Sequence, residues 1–205
     1  MRQIRSLLCV GLALSTSITA FSQSSLQHAR LVHLQELRAS TSTHIEVTPL
    51  DRAFLDAFAI LDQPSECRQF FGTEATKVLG ELLLEVKERE TNEHTIAFRM
   101  FGPFVVYVNG TSGATHRLFR NAEVNLSGPF YRSKIFLTDS FIPPVGSFPP
   151  NTRQARVLIL LHELAHLIQG SNGTWLIPDD GGNVDRSRSN TRLVESKCRQ
   201  QLRAL

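Results

Sequence analysis

Residues 157–168 contain a single formally charged side chain, Glu163. Apart from His162 and His166 the others are aliphatic, so a helix formed by this stretch is apolar on several faces. Such a helix belongs in the core of a domain, where two imidazoles and a carboxylate are costly to bury unless a metal ion or hydrogen bonds compensate them. The stretch therefore predicts a buried helix that carries a polar site.

The flanking residues give this helix a predicted start and end. Asn151 is a suitable N-cap with Gln154 at the capping-box position, and Gly170 stands where a C-cap glycine is common. The four-residue spacing puts the imidazoles of His162 and His166 on the same helix face, one turn apart. Both can therefore reach one Zn²⁺.

The run His-Glu-Leu-Ala-His at residues 162–166 resembles the active-site helix of the zincin metallopeptidases, which carry an H-E-x-x-H motif with uncharged interior positions. The resemblance is specific at residues 161–168 and covers about the last third of the chain. It implies a peptidase in which His162 and His166 bind Zn²⁺ and Glu163 acts as general base toward a metal-activated water that attacks a peptide bond. The alternative is a zincin-fold exported binding or structural protein whose metal is non-catalytic or absent.

A catalytic zinc usually has three protein ligands, so a third ligand is expected after residue 170. The metzincin motif requires a glycine and a second downstream histidine at the positions of Gln169 and Asn172. No histidine follows His166, and no methionine follows Met100 to form a Met-turn. The chain is therefore not a metzincin, and a downstream carboxylate is the expected third ligand.

Four acidic residues compete for this role, Asp179, Asp180, Asp185 and Glu195, and the candidates among them are Asp185, Glu195 and Asp180. Residues from 185 onward predict a helix with Ser187 or Ser189 as N-cap. Its predicted apolar face consists of Leu193, Val194, Cys198 and Leu202. Thr191 stands where the gluzincin zincins have their ligand glutamate, so Glu195, one turn further on, or a loop aspartate must substitute. The sequence leaves these three possibilities open.

The N-terminal residues 1–22 have the parts of a secretory signal peptide: Arg2 and Arg5, an apolar core, and small residues before the expected cleavage site. The core is too short and too rich in Ser and Thr for a stable membrane span. We therefore expect an exported protein, secreted or periplasmic, with no stable membrane span after cleavage. Residues 23–48 are expected to pack loosely, and residues 49–205 to form one zincin-like domain.

Cleavage would leave two cysteines, Cys67 and Cys198, and an even pair in an exported protein is a candidate disulfide. It would also lower the formal net charge from +3 to +1. The basic residues near the C-terminus have no interleaved aromatic residues and match no nucleic-acid motif, which argues against a nucleic-acid partner. A peptide or protein substrate is the partner that the motif implies, and the oligomeric state is left open.

The remaining pattern predicts an α+β domain. Helical spacing of apolar residues predicts helices at 49–61 and 73–90, with a short turn at 67–71 between them. Short β-rich runs at 95–98, 104–108, 122–126 and 134–141 predict a small, mostly antiparallel sheet ahead of the zinc helix. Residues 134–138 are the segment we expect at the sheet edge that receives an extended substrate.

Overall fold

The computed structural model describes Val32, Glu36 and residues 47–136 and 138–205. The predicted signal peptide and most of residues 23–48 lie outside this part of the chain. Within it the protein is an α+β domain with five helices and three strands. In chain order these are α1 Pro49–Asp62, α2 Glu66–Phe71, α3 Ala75–Glu85, β1 Val86–Arg89, β2 Phe98–Val108, β3 Thr115–Asn125, α4 Arg153–Leu167 and α5 Val184–Arg203.

Helix α4 lies at the centre of the core, as its apolar sequence predicts. The five residues 157–161 that precede the histidine pair are each at most 4% exposed. The helix packs against α1, α3 and α5 and contacts β2 and β3. At its first turn Arg153 donates from Nε and Nη2 to the two carboxylate oxygens of Asp56 in α1, at 2.6 Å each. A bidentate pair of this kind fixes the position of α4 relative to α1.

The predicted N-cap of α4 is wrong by one residue and its predicted C-cap by two. Thr152, not Asn151, is the N-cap, and its side chain accepts a hydrogen bond from the backbone N–H of Ala155. Asn151 instead adopts a positive φ of 62° just before the helix. The helix ends at Leu167 because Ile168 is extended and forms a β-bridge with His116, so Gly170 is not the C-cap.

Helix α5 begins earlier than predicted. Asn183 is its N-cap and accepts from the backbone N–H of Arg186, so neither Ser187 nor Ser189 caps it. Val194, Cys198 and Leu202 are fully buried as predicted, whereas Leu193 is 40% exposed and does not belong to the apolar face.

The disulfide predicted between Cys67 and Cys198 is present, with an S–S distance of 1.99 Å. Both residues are fully buried. The bond joins the short helix α2 to the C-terminal half of α5. The segment at 67–71 is thus part of a capped helix rather than a turn, with Ser65 as its N-cap.

The sheet is mixed, with the strand order β1-β3-β2. β2 and β3 pair antiparallel, as expected, but β1 pairs parallel to β3, from Val86 opposite Ala122 to Arg89 opposite Asn125. The helix predicted for residues 73–90 therefore ends at Glu85, and its last turns form β1 instead. The physical reason is tertiary: Val86 becomes buried where β1 meets β3, while the rest of β1 stays exposed.

The strand predicted at residues 134–141 does not form among the residues of this range that the structure describes. Lys134 and Phe141 form one isolated antiparallel bridge, and the described residues between them lie in turns or irregular structure. Asp139 has a positive φ of 54°, which breaks an extended conformation. The described residues among 134–138 therefore provide no sheet edge for a substrate. Among the described residues, no helix is both long enough and apolar enough to cross a membrane.

Candidate metal centre

The last two turns of α4 bring the rings of His162 and His166 into edge-to-face contact. Their Nε2 atoms are 3.1 Å apart, and the two ring planes are nearly perpendicular, at 79°. Both side chains are almost completely buried. Two imidazole nitrogens bound to one tetrahedral zinc at the usual bond lengths lie roughly 3.3 Å apart. The separation of the two ring nitrogens is therefore close to that expected of two ligands of one ion.

The loop between α4 and α5 supplies the third group of this cluster. The carboxylate of Asp180 has Oδ2 3.2 Å from His162 Nε2 and Oδ1 3.6 Å from His166 Nε2. One ligand atom from each of these three residues lies within 4.8 Å of the others. Two imidazoles and a carboxylate form a donor set that can hold a metal ion.

The other two carboxylates considered from the sequence lie elsewhere. The side chain of Asp185 is 92% exposed and pairs with Arg188 at 3.4 Å. Glu195 is buried one turn beyond Thr191, but its carboxylate accepts hydrogen bonds from the backbone N–H and the hydroxyl of Ser147. Of the three candidates, only Asp180 joins the histidine pair.

Two consecutive residues of α5, Asn190 and Thr191, form hydrogen bonds with members of the cluster. The amide of Asn190 donates to the carbonyl of Pro178 at 2.8 Å and to Oδ1 of Asp180 at 2.6 Å. Thr191 Oγ1 lies 3.1 Å from Nδ1 of His162 and 2.8 Å from the carbonyl of Ser187. Helix α5 thus contacts both a histidine and the carboxylate of the cluster.

Arg117, in β3, anchors the other side of the site. Its Nε donates to the backbone carbonyl of His166 at 2.9 Å, and its Nη atoms pair with the carboxylate of Asp179. The guanidinium is buried and also stacks on the ring of Trp175, 4.3 Å from its centroid. This contact joins the end of α4 to the loop that carries Asp180. Nothing in the sequence pairs Arg117 with residues about fifty positions away, and sequence reasoning missed it.

The electrostatics of the cluster favour a cation between its members. Burial by itself would raise the pKa of Asp180, but hydrogen bonds with His162 and His166 outweigh burial and lower it. Burial likewise opposes the charged form of His166, yet its hydrogen bond to Asp180 and the nearby carboxylates raise its pKa. The carboxylate is therefore ionised and attracts positive charge.

Glu163 lies on α4 directly after the first histidine. Part of the residue's surface is exposed, but burial of its carboxyl group raises the pKa of Glu163, and the charges of His162 and His166 oppose this shift. A carboxylate whose pKa is raised is a stronger base than an ordinary surface glutamate. The position and the pKa shift of Glu163 both suit a group that exchanges protons beside the cluster.

Comparison of the chain with protein-family models, with curated proteins and with solved structures finds no match.

Proposed function

We propose that this chain is an exported zinc-dependent peptidase. The observation that carries the proposal is the convergence of His162 Nε2, His166 Nε2 and the Asp180 carboxylate on one point, beside Glu163. Two histidines at H-E-x-x-H spacing and a carboxylate are a donor set that suits a hydrolytic zinc site, and the glutamate of the motif suits its general base. The disulfide between Cys67 and Cys198 is compatible with export, because such bonds persist in oxidising compartments.

The hydrogen bonding of His166 supports the assignment of this donor set to a metal ion. Among the described residues, His166 Nδ1 is the only buried side-chain nitrogen or oxygen without a hydrogen-bond partner, and the carboxylate of Asp179 lies 3.9 Å from it. A ligand histidine commonly directs one ring nitrogen to the metal and the other to a carboxylate or carbonyl. A small movement of Asp179 would complete that arrangement for His166.

In the proposed reaction His162, His166 and Asp180 would hold the zinc, which supplies Lewis acidity toward the substrate carbonyl and toward water. Glu163 accepts a proton from the water as its oxygen adds to the carbonyl carbon. Glu163 then delivers that proton to the amide nitrogen as the C–N bond breaks. One water is consumed, and the products are a carboxylic acid and an amine, which exchange a proton to leave a carboxylate and an ammonium group. The raised pKa of Glu163 makes its carboxylate a better proton acceptor in the first transfer.

The test compares the wild-type protein with Glu163→Gln. Both are purified without added metal, analysed for their metal content, and incubated with a broad peptide library whose cleavage is followed by mass spectrometry. We expect stoichiometric zinc in both proteins and cleavage reduced by roughly 10²–10⁴-fold in the variant, the usual contribution of a general base. Zinc binding without any cleavage that depends on Glu163 would identify a binding or structural module instead. Iron in place of zinc, or no metal, would contradict the proposal.

A second comparison tests the ligand set. Asp180→Asn removes the carboxylate of the cluster with little change in size, and Asp185→Asn makes the same change at an exposed position nearby. We expect Asp180→Asn to lose zinc on dialysis against a chelator that leaves the wild type loaded. Asp185→Asn should behave as the wild type. Equal zinc retention in the two variants would exclude Asp180 as a ligand.

A further inference from the structure

The pair Asn190 and Thr191 on α5 contacts the metal cluster without contributing a charged ligand. Thr191 stands at the position where the sequence resemblance would require a ligand glutamate. A threonine hydroxyl has one proton to donate and two lone pairs to accept with. The direction of each hydrogen bond at Thr191 can therefore be worked out from its two partners.

The hydroxyl of Thr191 donates to the carbonyl of Ser187, one turn earlier in α5, at 2.8 Å. Because this bond uses its only proton, Oγ1 can only accept at its second contact, 3.1 Å away at Nδ1 of His162. Nδ1 must then carry the proton of the neutral imidazole. On a neutral ring the lone pair is then left on Nε2, the nitrogen that faces His166 and Asp180, so its contact with the Asp180 carboxylate needs a cation, either a metal ion or a second proton on His162.

Asn190 acts on the carboxylate in a comparable way. Both protons of its amide are used, one on the carbonyl of Pro178 and the other on Oδ1 of Asp180. The amide cannot be flipped, because its oxygen would then face two acceptors. Oδ1 is held by Asn190, and Oδ2 is left beside His162 Nε2 at 3.2 Å.

We infer that Thr191 and Asn190 are positioning residues for the metal ligands, Thr191 by fixing the proton and ring orientation of His162 and Asn190 by orienting Asp180. The inference rests on the proposed function, since it concerns the same cluster. It also accounts for the absence of a glutamate at position 191: the third ligand comes from the loop, and this position of α5 supports a histidine instead. Mutation of a residue that hydrogen-bonds to a metal ligand typically lowers metal affinity roughly 10–100-fold.

The test of Thr191 uses Thr191→Val, which removes the hydroxyl at nearly constant shape, and Thr191→Ser, which keeps it. Zinc affinity is measured by competition with a chromophoric chelator. We expect Thr191→Val to bind zinc roughly 10–100-fold more weakly and Thr191→Ser to stay close to the wild type. Equal affinity in wild type and Thr191→Val would overturn the inference while leaving the proposed function intact.

A second readout needs no metal. Long-range ¹H–¹⁵N NMR spectra of the zinc-free protein distinguish a proton on Nδ1 of His162 from one on Nε2. We expect a proton on Nδ1 in the wild type and in Thr191→Ser, whether or not Nε2 also carries one beside Asp180, and loss of the Nδ1 proton's preference in Thr191→Val. A proton on Nε2 alone in the wild type would refute the role of Thr191. Failure of the wild type to bind zinc at all would instead contradict the proposed function, and the tautomer would still show whether Thr191 holds the ring.

The test of Asn190 has a matched control within the chain. Asn125 is also buried, and its amide likewise donates to two oxygens, the carbonyls of Glu93 and Ile96, far from the metal cluster. Asn190→Ala and Asn125→Ala should both lower thermal stability, because each leaves buried acceptors unpaired. Only Asn190→Ala should weaken zinc binding by tenfold or more. An equal effect of the two variants on zinc affinity would reduce Asn190 to a purely structural residue.

Discussion

Reducing the disulfide between Cys67 and Cys198 should remove a large part of the free energy of unfolding. The two cysteines are separated by 131 residues in the sequence. In the chain-entropy model a loop of that length constrains the unfolded chain by about 5 kcal/mol at 25 °C. A domain of this size has a total stability of about 5–15 kcal/mol, so the reduced protein should be marginally stable.

The assay is urea unfolding followed by circular dichroism, with and without dithiothreitol. At the usual slope of about 1–3 kcal/mol per molar urea, a loss of 5 kcal/mol lowers the midpoint by about 2 M or more. The variant Cys67→Ala/Cys198→Ala serves as the control, since it should unfold near the midpoint of the reduced wild type and should not respond to the reductant. Reduction also frees α5 from α2, so zinc affinity should fall in parallel.

The reasoning would be refuted by a wild type whose disulfide is fully reduced, by thiol titration, yet whose midpoint moves by less than about 0.5 M. In that case the bond would add little to contacts that already hold α2 against α5. A variant that still responded to dithiothreitol would show that the shift has another origin.

Two further predictions concern other parts of the fold. Gly146 has a φ of 58°, and a Cβ there would lie 2.3 Å from a carboxylate oxygen of Glu195. At Gly113 the φ is 69°, but a Cβ would have no atom within 4 Å. Gly146→Ala should therefore lower the free energy of unfolding, measured in urea, clearly more than Gly113→Ala. Similar losses in the two variants, about 1–2 kcal/mol each for the left-handed backbone alone, would argue against the contact with Glu195. Burial and the hydrogen bond to Glu88 raise the pKa of Tyr131, so stability should be complete below the ordinary tyrosine pKa and should fall as pH rises above it. The absorbance difference at 295 nm between the wild type and Tyr131→Phe should therefore appear only when circular dichroism reports unfolding, and ionisation in the folded protein near pH 10 would contradict this.

The sequence predicts best what is decided by local pattern. The apolar run at 157–168 can be buried only as a central helix, and the helical spacing of its two histidines fixes their shared face. The pairing of Cys67 with Cys198 follows from counting cysteines after the expected cleavage. In each case one short stretch, or one simple count, contains the information.

Features that depend on contacts distant in sequence could not be predicted. Residues 86–89 have the composition of a helix end, but pairing with β3 makes them a strand. The proximity of Asp180 to the histidine pair depends on the path of an irregular loop, which Arg117 and Asn190 fix by hydrogen bonds to its residues. No spacing rule distinguishes that aspartate from Asp185 before the loop has folded.

The most direct test of the metal centre is a crystal structure of the zinc-loaded protein with anomalous diffraction data collected at the zinc absorption edge. We predict a single strong anomalous peak about 2.0–2.2 Å from Nε2 of His162, from Nε2 of His166 and from a carboxylate oxygen of Asp180. A peak bound by Asp185 or Glu195 in place of Asp180, or no peak at the histidine pair, would contradict the account.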